Sequence, residues 1–128
     1  MQHTVNWFDI PVTDMARAMK FYQTLTGRAL RREAFGAPGE EMAVFEAPDS
    51  QGVSGALVYS PHGKPAAHGT LVYLNAGSSI QACLDRVNAA GGSIAVGKTT
   101  LPQDMGYFAH IIDTEGNKVG LHSEATAP

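Results

Sequence analysis

The chain of 128 residues has little cysteine and no long apolar run. Its one cysteine, Cys83, has no partner for an internal disulfide and cannot build a cysteine-based zinc site, so we expect a reducing compartment. No stretch approaches the roughly 20 apolar residues that span a bilayer, and the N-terminus lacks the basic start and apolar core of a signal peptide. These absences predict a cytoplasmic protein with no membrane partner.

Charge is also sparse. Charged residues make up 16% of the chain, hydrophobic residues make up 44%, and the formal net charge is −3. Because no basic stripe is present, we expect no nucleic-acid partner. The length and composition predict one globular domain that spans residues 1–128.

What the sequence does contain is a repeat of helical spacing. The apolar residues of each copy fall on one helix face, and the two copies are offset by 65 positions (from 15 to 80): Met15, Ala18, Met19, Tyr22 and Leu25, then Ile80, Cys83, Leu84, Val87 and Ala90. Polar residues that cap helices precede both copies, and glycine follows both, at Gly27 and at Gly91-Gly92. Two helices are therefore predicted at equivalent places in two similar halves.

Runs typical of strands surround each predicted helix. They cover residues 5–10, 28–33, 41–47 and 55–60 in the first half, and 70–74, 93–96, 107–112 and 118–123 in the second. Each half then reads β-α-β-β-β: module 1 over about 3–60 and module 2 over about 68–124, joined by a polar linker at 61–67. We predict an α+β fold in which the two modules form a curved sheet or open barrel, with helices outside and a central cup.

This duplicated plan, with two stretches of sequence, resembles the vicinal oxygen chelate superfamily, which includes glyoxalase I, bleomycin-resistance proteins, fosfomycin-resistance enzymes and extradiol dioxygenases. The stretches are IPVTDMARAMKFYQTLTG (10–27) and FAHIIDTEGNKVGL (108–121), where Thr114 stands in place of the usual proline. WFDIP and GNKVGLHS are similar to a glyoxalase-like bacterial subgroup. The resemblance implies a homodimer. In the best-known enzymes of the superfamily it also implies a divalent metal, held by four inward-facing strand positions, two from each module.

Those four positions carry no good metal ligand in this sequence. They fall on Trp7, near Ala56, on one of Thr70, Leu71 or Val72, and on Gly120. The threonine hydroxyl is a weak ligand alone, and the other side chains offer nothing to Mg, Fe, Zn or Ni. We therefore expect no metal and no other cofactor, and we predict that Gly120 leaves open space at the bottom of the cup.

Strand alternation predicts which other side chains share the cup. The predicted ligand-binding set is Trp7, Asp9, Phe108, His110, Gly120 and His122. An alternative interpretation is that the two histidines are half-buried polar residues satisfied by backbone or water. A third is that His110 and His122 hold a metal in an unconventional site.

Two functions suit this set. The first is a small-molecule binding protein with a metal-free cup, similar to the bleomycin-resistance branch. The alternative is a lyase, isomerase or dioxygenase-like enzyme in which His110, His122 or Asp9 transfers a proton. A dimeric protein with a vestigial cup is a further possibility.

Overall fold

The computed structural model describes residues 4–34, 36–46 and 52–125, and they form two βαβββ modules. The first contains β1 (Asp9–Pro11), α1 (Met15–Thr26), β2 (Leu30–Ala34), β3 (Glu41–Phe45) and β4 (Ala56–Tyr59). The second contains β5 (Tyr73–Asn75), α2 (Ile80–Ala90), β6 (Ser93–Thr100), β7 (Tyr107–Ile112) and β8 (Lys118–Ser123). The predicted α+β class and element order are confirmed.

Both helices begin and end where capping chemistry places them. Asp14 accepts a hydrogen bond from the Arg17 amide at the start of α1, and Ser79 does the same for α2. Gly27 and Gly91 end the helices in the left-handed region, with φ of 70° and 108°. A side chain is disfavoured in that conformation, which explains why glycine occurs at both ends.

The strands form two four-stranded mixed sheets rather than a closed barrel. Their orders are β1-β4-β3-β2 and β5-β8-β7-β6, and in each sheet the first strand pairs in parallel with its neighbour. The predicted bounds of β7 and β8 are confirmed. Strands β1 and β5 begin later than predicted, at Asp9 and Tyr73, because each lies at the end of its sheet and has one neighbour to define its extent. The predicted end of β3 at Ala47 lies outside the described residues.

One hydrophobic core joins the two modules. It lies between the helices and the helix-facing sides of both sheets, and its largest fully buried members come from both halves: Tyr22, Phe21, Leu25, Leu57, Ile80, Ile111 and Leu121. Arg86 of α2 also donates a 3.0 Å hydrogen bond to the Leu25 carbonyl at the end of α1. The helices therefore cover one face of each sheet and leave the other face without a helix.

The turn between β7 and β8 fastens the second module to the start of α1. Glu115 in this turn accepts hydrogen bonds from the backbone amides of Thr13 and Asp14, at 2.8 and 2.9 Å, and from Arg17 Nε at 2.7 Å. The amides at a helix start lack partners within the helix, so a carboxylate there is stabilising. None of the helices in the described part of the chain is both long enough and apolar enough to cross a membrane.

Candidate functional site

A cleft of about 1240 Å³ lies between the two modules, beside β1 and β5. The chain segments 4–5, 7–9 and 70–75 form its walls, with further contributions from the first module. Segments 7–9 and 70–75 lead into or form β1 and β5, which lie at the ends of their sheets and have no neighbouring strand on that side. The cleft is therefore the candidate ligand site.

Trp7 and Asp9 line the cleft on the side of the first module. The indole N–H of Trp7 donates a 3.0 Å hydrogen bond to Oδ1 of Asp9, and the Trp7 side chain is 46% exposed. Ile10 lies in the core, and Phe8 packs against the core while also contributing to the cleft wall. The hydrogen bond holds the predicted pair together, with the indole ring available to a ligand.

Gly120 does not leave open space, so that prediction is wrong. Tyr73 of β5 pairs directly with Gly120 of β8, and the Tyr73 ring lies over the glycine. A Cβ atom added at position 120 would overlap this ring. The absence of a side chain at Gly120 is thus what allows Tyr73 to lie across the sheet.

Tyr73 is also the centre of an aromatic cluster on this face. Its hydroxyl lies 2.8 Å from Nε2 of His110, within hydrogen-bonding distance. Its ring centroid is 5.6 Å from that of His110 and 6.5 Å from that of Phe108, and the two latter rings are 5.2 Å apart. Tyr73 is 47% exposed and lines the cleft, so it connects His110 and Phe108 to the ligand site.

The environment of His110 favours its neutral form. Partial burial lowers the pKa of His110 below its ordinary value, and the positive charge of Lys118 lowers it further. Since an unperturbed histidine titrates at about 6.5, His110 is mostly uncharged at neutral pH. It can therefore accept a proton there.

His122 lies directly opposite Phe108 in the β7–β8 pair and also contacts the loop before β7. Its Nε2 atom lies 2.8 Å from the backbone carbonyl oxygen of Met105, in the loop between β6 and β7. This contact matches the interpretation in which a histidine is satisfied by the backbone. The predicted set therefore divides into Trp7 with Asp9, and Phe108, His110 and Gly120 around Tyr73, while His122 contacts the loop.

Tyr73 is the site residue that sequence reasoning missed. The alternation of β5 contained the signal, because Leu74 is buried in the core and its neighbour Tyr73 must then point to the opposite face. The sequence located the family's ligand position at 70–72 and did not identify the residue that covers Gly120.

The residues at three of the family's four metal positions do not fit a metal. Trp7 has its indole nitrogen bonded to Asp9, Ala56 is buried, and Gly120 lies beneath the Tyr73 ring. Across the described ranges, no three or more His, Cys, Asp or Glu side chains are grouped so that they could hold a metal ion.

The sequence of this chain matches a known protein family. A family model described as "Glyoxalase/Bleomycin resistance protein/Dioxygenase superfamily" matches residues 4–121. A comparison with curated proteins gave no match.

Several solved structures share the fold. Glyoxalase I from Zea mays is 21% identical with a TM-score of 0.72, and the match covers 95% of this chain and 46% of the maize chain. The chain thus spans about half the length of that enzyme. TnmS3, an antibiotic binding protein from Streptomyces sp. CB03234, is 23% identical with a TM-score of 0.62 over 97% of both chains. A glyoxalase-related enzyme from Fulvimarina pelagi is 16% identical with a TM-score of 0.66, over 95% of this chain and 88% of that one. At these identities the similarity establishes the fold alone.

Proposed function

Because the chain belongs to the glyoxalase/bleomycin resistance protein/dioxygenase superfamily, we propose that it binds a small planar organic molecule in the cleft between its modules, without a metal. The observation that carries this proposal is that Trp7 and Tyr73 are each about half exposed and line the same cleft. Asp9 and His110 supply polar groups next to these rings. Apolar walls with a few polar groups are typical of small-molecule sites.

The energetics favour a flat, apolar ligand. Covering about 100 Å² of apolar surface on the two rings contributes roughly 2.5 kcal/mol, and stacking adds about 0.5–1.5 kcal/mol. The Trp7 N–H is already bonded to Asp9, so a ligand that covers the ring leaves no indole hydrogen bond unmade. TnmS3, a structural neighbour, is described as an antibiotic binding protein, which is compatible with binding of an organic molecule by this fold.

Binding of planar aromatic probes tests the proposal. Chromone and related flat compounds would be screened by thermal shift, and dissociation constants measured for the wild type, Trp7→Ala and Tyr73→Ala. Tyr59→Ala is the matched control, because Tyr59 is 41% exposed but does not line the cleft. We expect each cleft substitution to weaken binding about tenfold or more and the control to have little effect. Equal affinities in all four proteins would contradict the proposal.

A second candidate function is an enzyme of lyase, isomerase or dioxygenase-like type. It is favoured by His110, whose lowered pKa suits a general base and whose Nε2 atom contacts the cleft residue Tyr73. Of the other two candidate bases, Asp9 is bonded to Trp7 and His122 contacts the Met105 carbonyl. His110 is likewise bonded, to Tyr73, and Asp9 lines the cleft itself, so His110 and Asp9 both stay candidate bases.

Proton abstraction next to a carbonyl distinguishes this enzyme from a binder. 1-Indanone in D₂O would be incubated with the wild type and with His110→Gln, and deuterium incorporation followed by NMR. An enzyme that uses His110 as its base accelerates the exchange and loses that acceleration in His110→Gln, whereas a binder leaves the exchange at the buffer rate.

We expect a homodimer, because β6 lies at the end of its sheet and exposes Ile94 and Val96, which are 41% and 38% exposed. Light scattering would show a mass that falls to that of one chain in Ile94→Lys if β6 forms the interface.

The single domain with a linker at 61–67 stays a prediction, supported by the end of β4 at Tyr59 and the start of β5 at Tyr73. A cytoplasmic location also stays a prediction.

A further inference from the structure

The hydroxyl of Tyr73 is within hydrogen-bonding distance of His110, and the Tyr73 side chain is about half exposed. The hydroxyl oxygen lies 2.8 Å from His110 Nε2, and Tyr73 lines the cleft. A phenol has one hydrogen to donate and lone pairs to accept with, whereas a histidine nitrogen either donates or accepts according to its protonation. The direction of this bond therefore decides what Tyr73 offers to a ligand.

We propose that the Tyr73–His110 pair selects the hydrogen-bonding group of the ligand, and that protonated His110 makes the cleft prefer a ligand with a carbonyl oxygen. This inference rests on the proposed function, since it specifies the ligand class of the same cleft. The ligand it indicates is a planar aromatic ketone or quinone.

Protonation of His110 fixes the direction of the bond. In the imidazolium form both ring nitrogens carry hydrogen, so Nε2 must donate to the Tyr73 oxygen. The phenol hydrogen then points away from His110, where it can donate to a ligand oxygen. In the neutral form, Nε2 can accept the phenol hydrogen, which leaves Tyr73 with lone pairs alone toward the cleft.

The packing around Tyr73 holds its hydroxyl in place. The ring lies against Gly120 and makes an edge contact with Phe108, at an interplanar angle of 81°. A side chain at position 120 would displace the ring and with it the hydroxyl. Gly120, which stands at the family's metal position, thus makes room for the Tyr73 ring, whose hydroxyl contacts His110.

The groups that face His110 set the pH at which His110 becomes protonated. On β8, Lys118 and His122 flank Gly120, the residue directly opposite His110. On β6 the opposite residue is the apolar Val96, and on β5 the contact is Tyr73 itself. Burial and the Lys118 charge lower the pKa of His110, so the preference for a carbonyl increases below the ordinary pH of histidine titration.

Chromone and naphthalene provide a matched pair of probes. They have similar flat shapes, but only chromone has a ketone oxygen. Their dissociation constants would be measured by NMR titration at pH values on either side of the His110 transition, which is located first by NMR titration of the His110 ring. We expect the preference for chromone over naphthalene to increase about 5- to 10-fold on acidification, the effect of one hydrogen bond.

Substitutions test whether the Tyr73–His110 pair causes the increased preference for chromone. Tyr73→Phe keeps the ring over Gly120 and removes the hydroxyl, so the preference for chromone over naphthalene should no longer depend on pH. Tyr59→Phe, the matched control, should keep the increase. NMR titration of the His110 ring provides a check without ligand, because loss of the Tyr73 hydroxyl should change the pKa of His110.

The outcomes separate this inference from the function on which it rests. If both probes bind in a Trp7-dependent way but the ratio of their dissociation constants depends neither on pH nor on the Tyr73→Phe substitution, the inference is overturned and the proposed function stands. If neither probe nor any other flat compound binds, both are overturned. A pH-dependent ratio that persists in Tyr73→Phe would also overturn the inference.

Discussion

The hydroxyl of Tyr22 donates a 2.6 Å hydrogen bond to Oδ2 of Asp113, which joins α1 of the first module to the β7–β8 turn of the second. Both residues are buried, and the same carboxylate also accepts hydrogen bonds from the Asn117 side chain and the Glu115 amide. Burial, and then the negative charge of Asp113, raises the pKa of Tyr22 well above its ordinary value. The hydroxyl therefore remains a donor, and the modules cannot separate without breaking a buried, charge-assisted bond.

Tyr22→Phe should lower the free energy of unfolding by about 1–3 kcal/mol, because it removes a donor to a buried carboxylate. Urea denaturation at neutral pH measures the change. Tyr59→Phe is the control, since Tyr59 is exposed, and it should stay within about 0.5 kcal/mol of the wild type. Equal effects of the two substitutions would contradict a role for the Tyr22–Asp113 bond.

Stability should decrease in acid because of Glu115. Burial alone would raise its pKa, but the hydrogen bonds from Arg17, from the Thr13 and Asp14 amides and from Thr114 outweigh burial and lower the pKa from 4.5 to about 2. A depressed pKa contributes stability that is complete above the unfolded value and is lost as the pH falls through the folded one.

The size of this contribution follows from the shift. The full shift corresponds to roughly 3 kcal/mol, and solvent screening at the exposed Arg17 reduces it to about 1–2 kcal/mol. Glu115→Gln should therefore be less stable than the wild type at neutral pH. The difference should shrink between about pH 4.5 and pH 2 when both are unfolded by urea. A difference that is constant with pH would contradict the assignment.

Gly120→Ala should destabilise the protein by about 1–3 kcal/mol, because the added methyl group overlaps the Tyr73 ring. In a Tyr73→Ala background the same substitution should cost much less, since the ring that it meets is gone. A double-mutant cycle from denaturant unfolding measures this coupling. Additive effects would show that the two residues do not contact each other.

Lys118→Met should raise the pKa of His110 toward the ordinary histidine value. Burial is the larger cause of the lowered pKa, so the value should remain below that of a free histidine even without the lysine charge. NMR titration of the His110 ring gives the measurement. Lys98→Met is the control, because Lys98 lies over the Tyr107 ring and is not a cause of the His110 shift.

Much of this fold is predictable from local sequence. Helical spacing predicts both helices, and the glycines at 27 and 91 occur where a positive φ requires them. Strand-like runs predict β7 and β8 to the residue, and alternation places Trp7 and Asp9 on one face. These features depend on neighbours close in the chain.

The site was predicted only in part, because it depends on which strands become neighbours. The register of β5 against β8 brings Tyr73 over Gly120, and no local pattern specifies the register between strands so distant in the chain. A glycine alone suggests empty space, but here a residue 47 positions earlier fills it. His122 binds the Met105 carbonyl for a similar reason, since the position of that loop follows from tertiary contacts.

The indole N–H of Trp7 offers the most direct measurement of ligand binding in the cleft. Trp7 is the only tryptophan, so its indole gives one resolved cross-peak in a ¹H–¹⁵N spectrum. During titration with chromone, we expect this cross-peak to shift together with the backbone amides of 70–75, and the shifts to be lost in Tyr73→Ala. An unchanged indole signal, with shifts confined to β6 or to the loop before β7, would contradict binding between Trp7 and Tyr73.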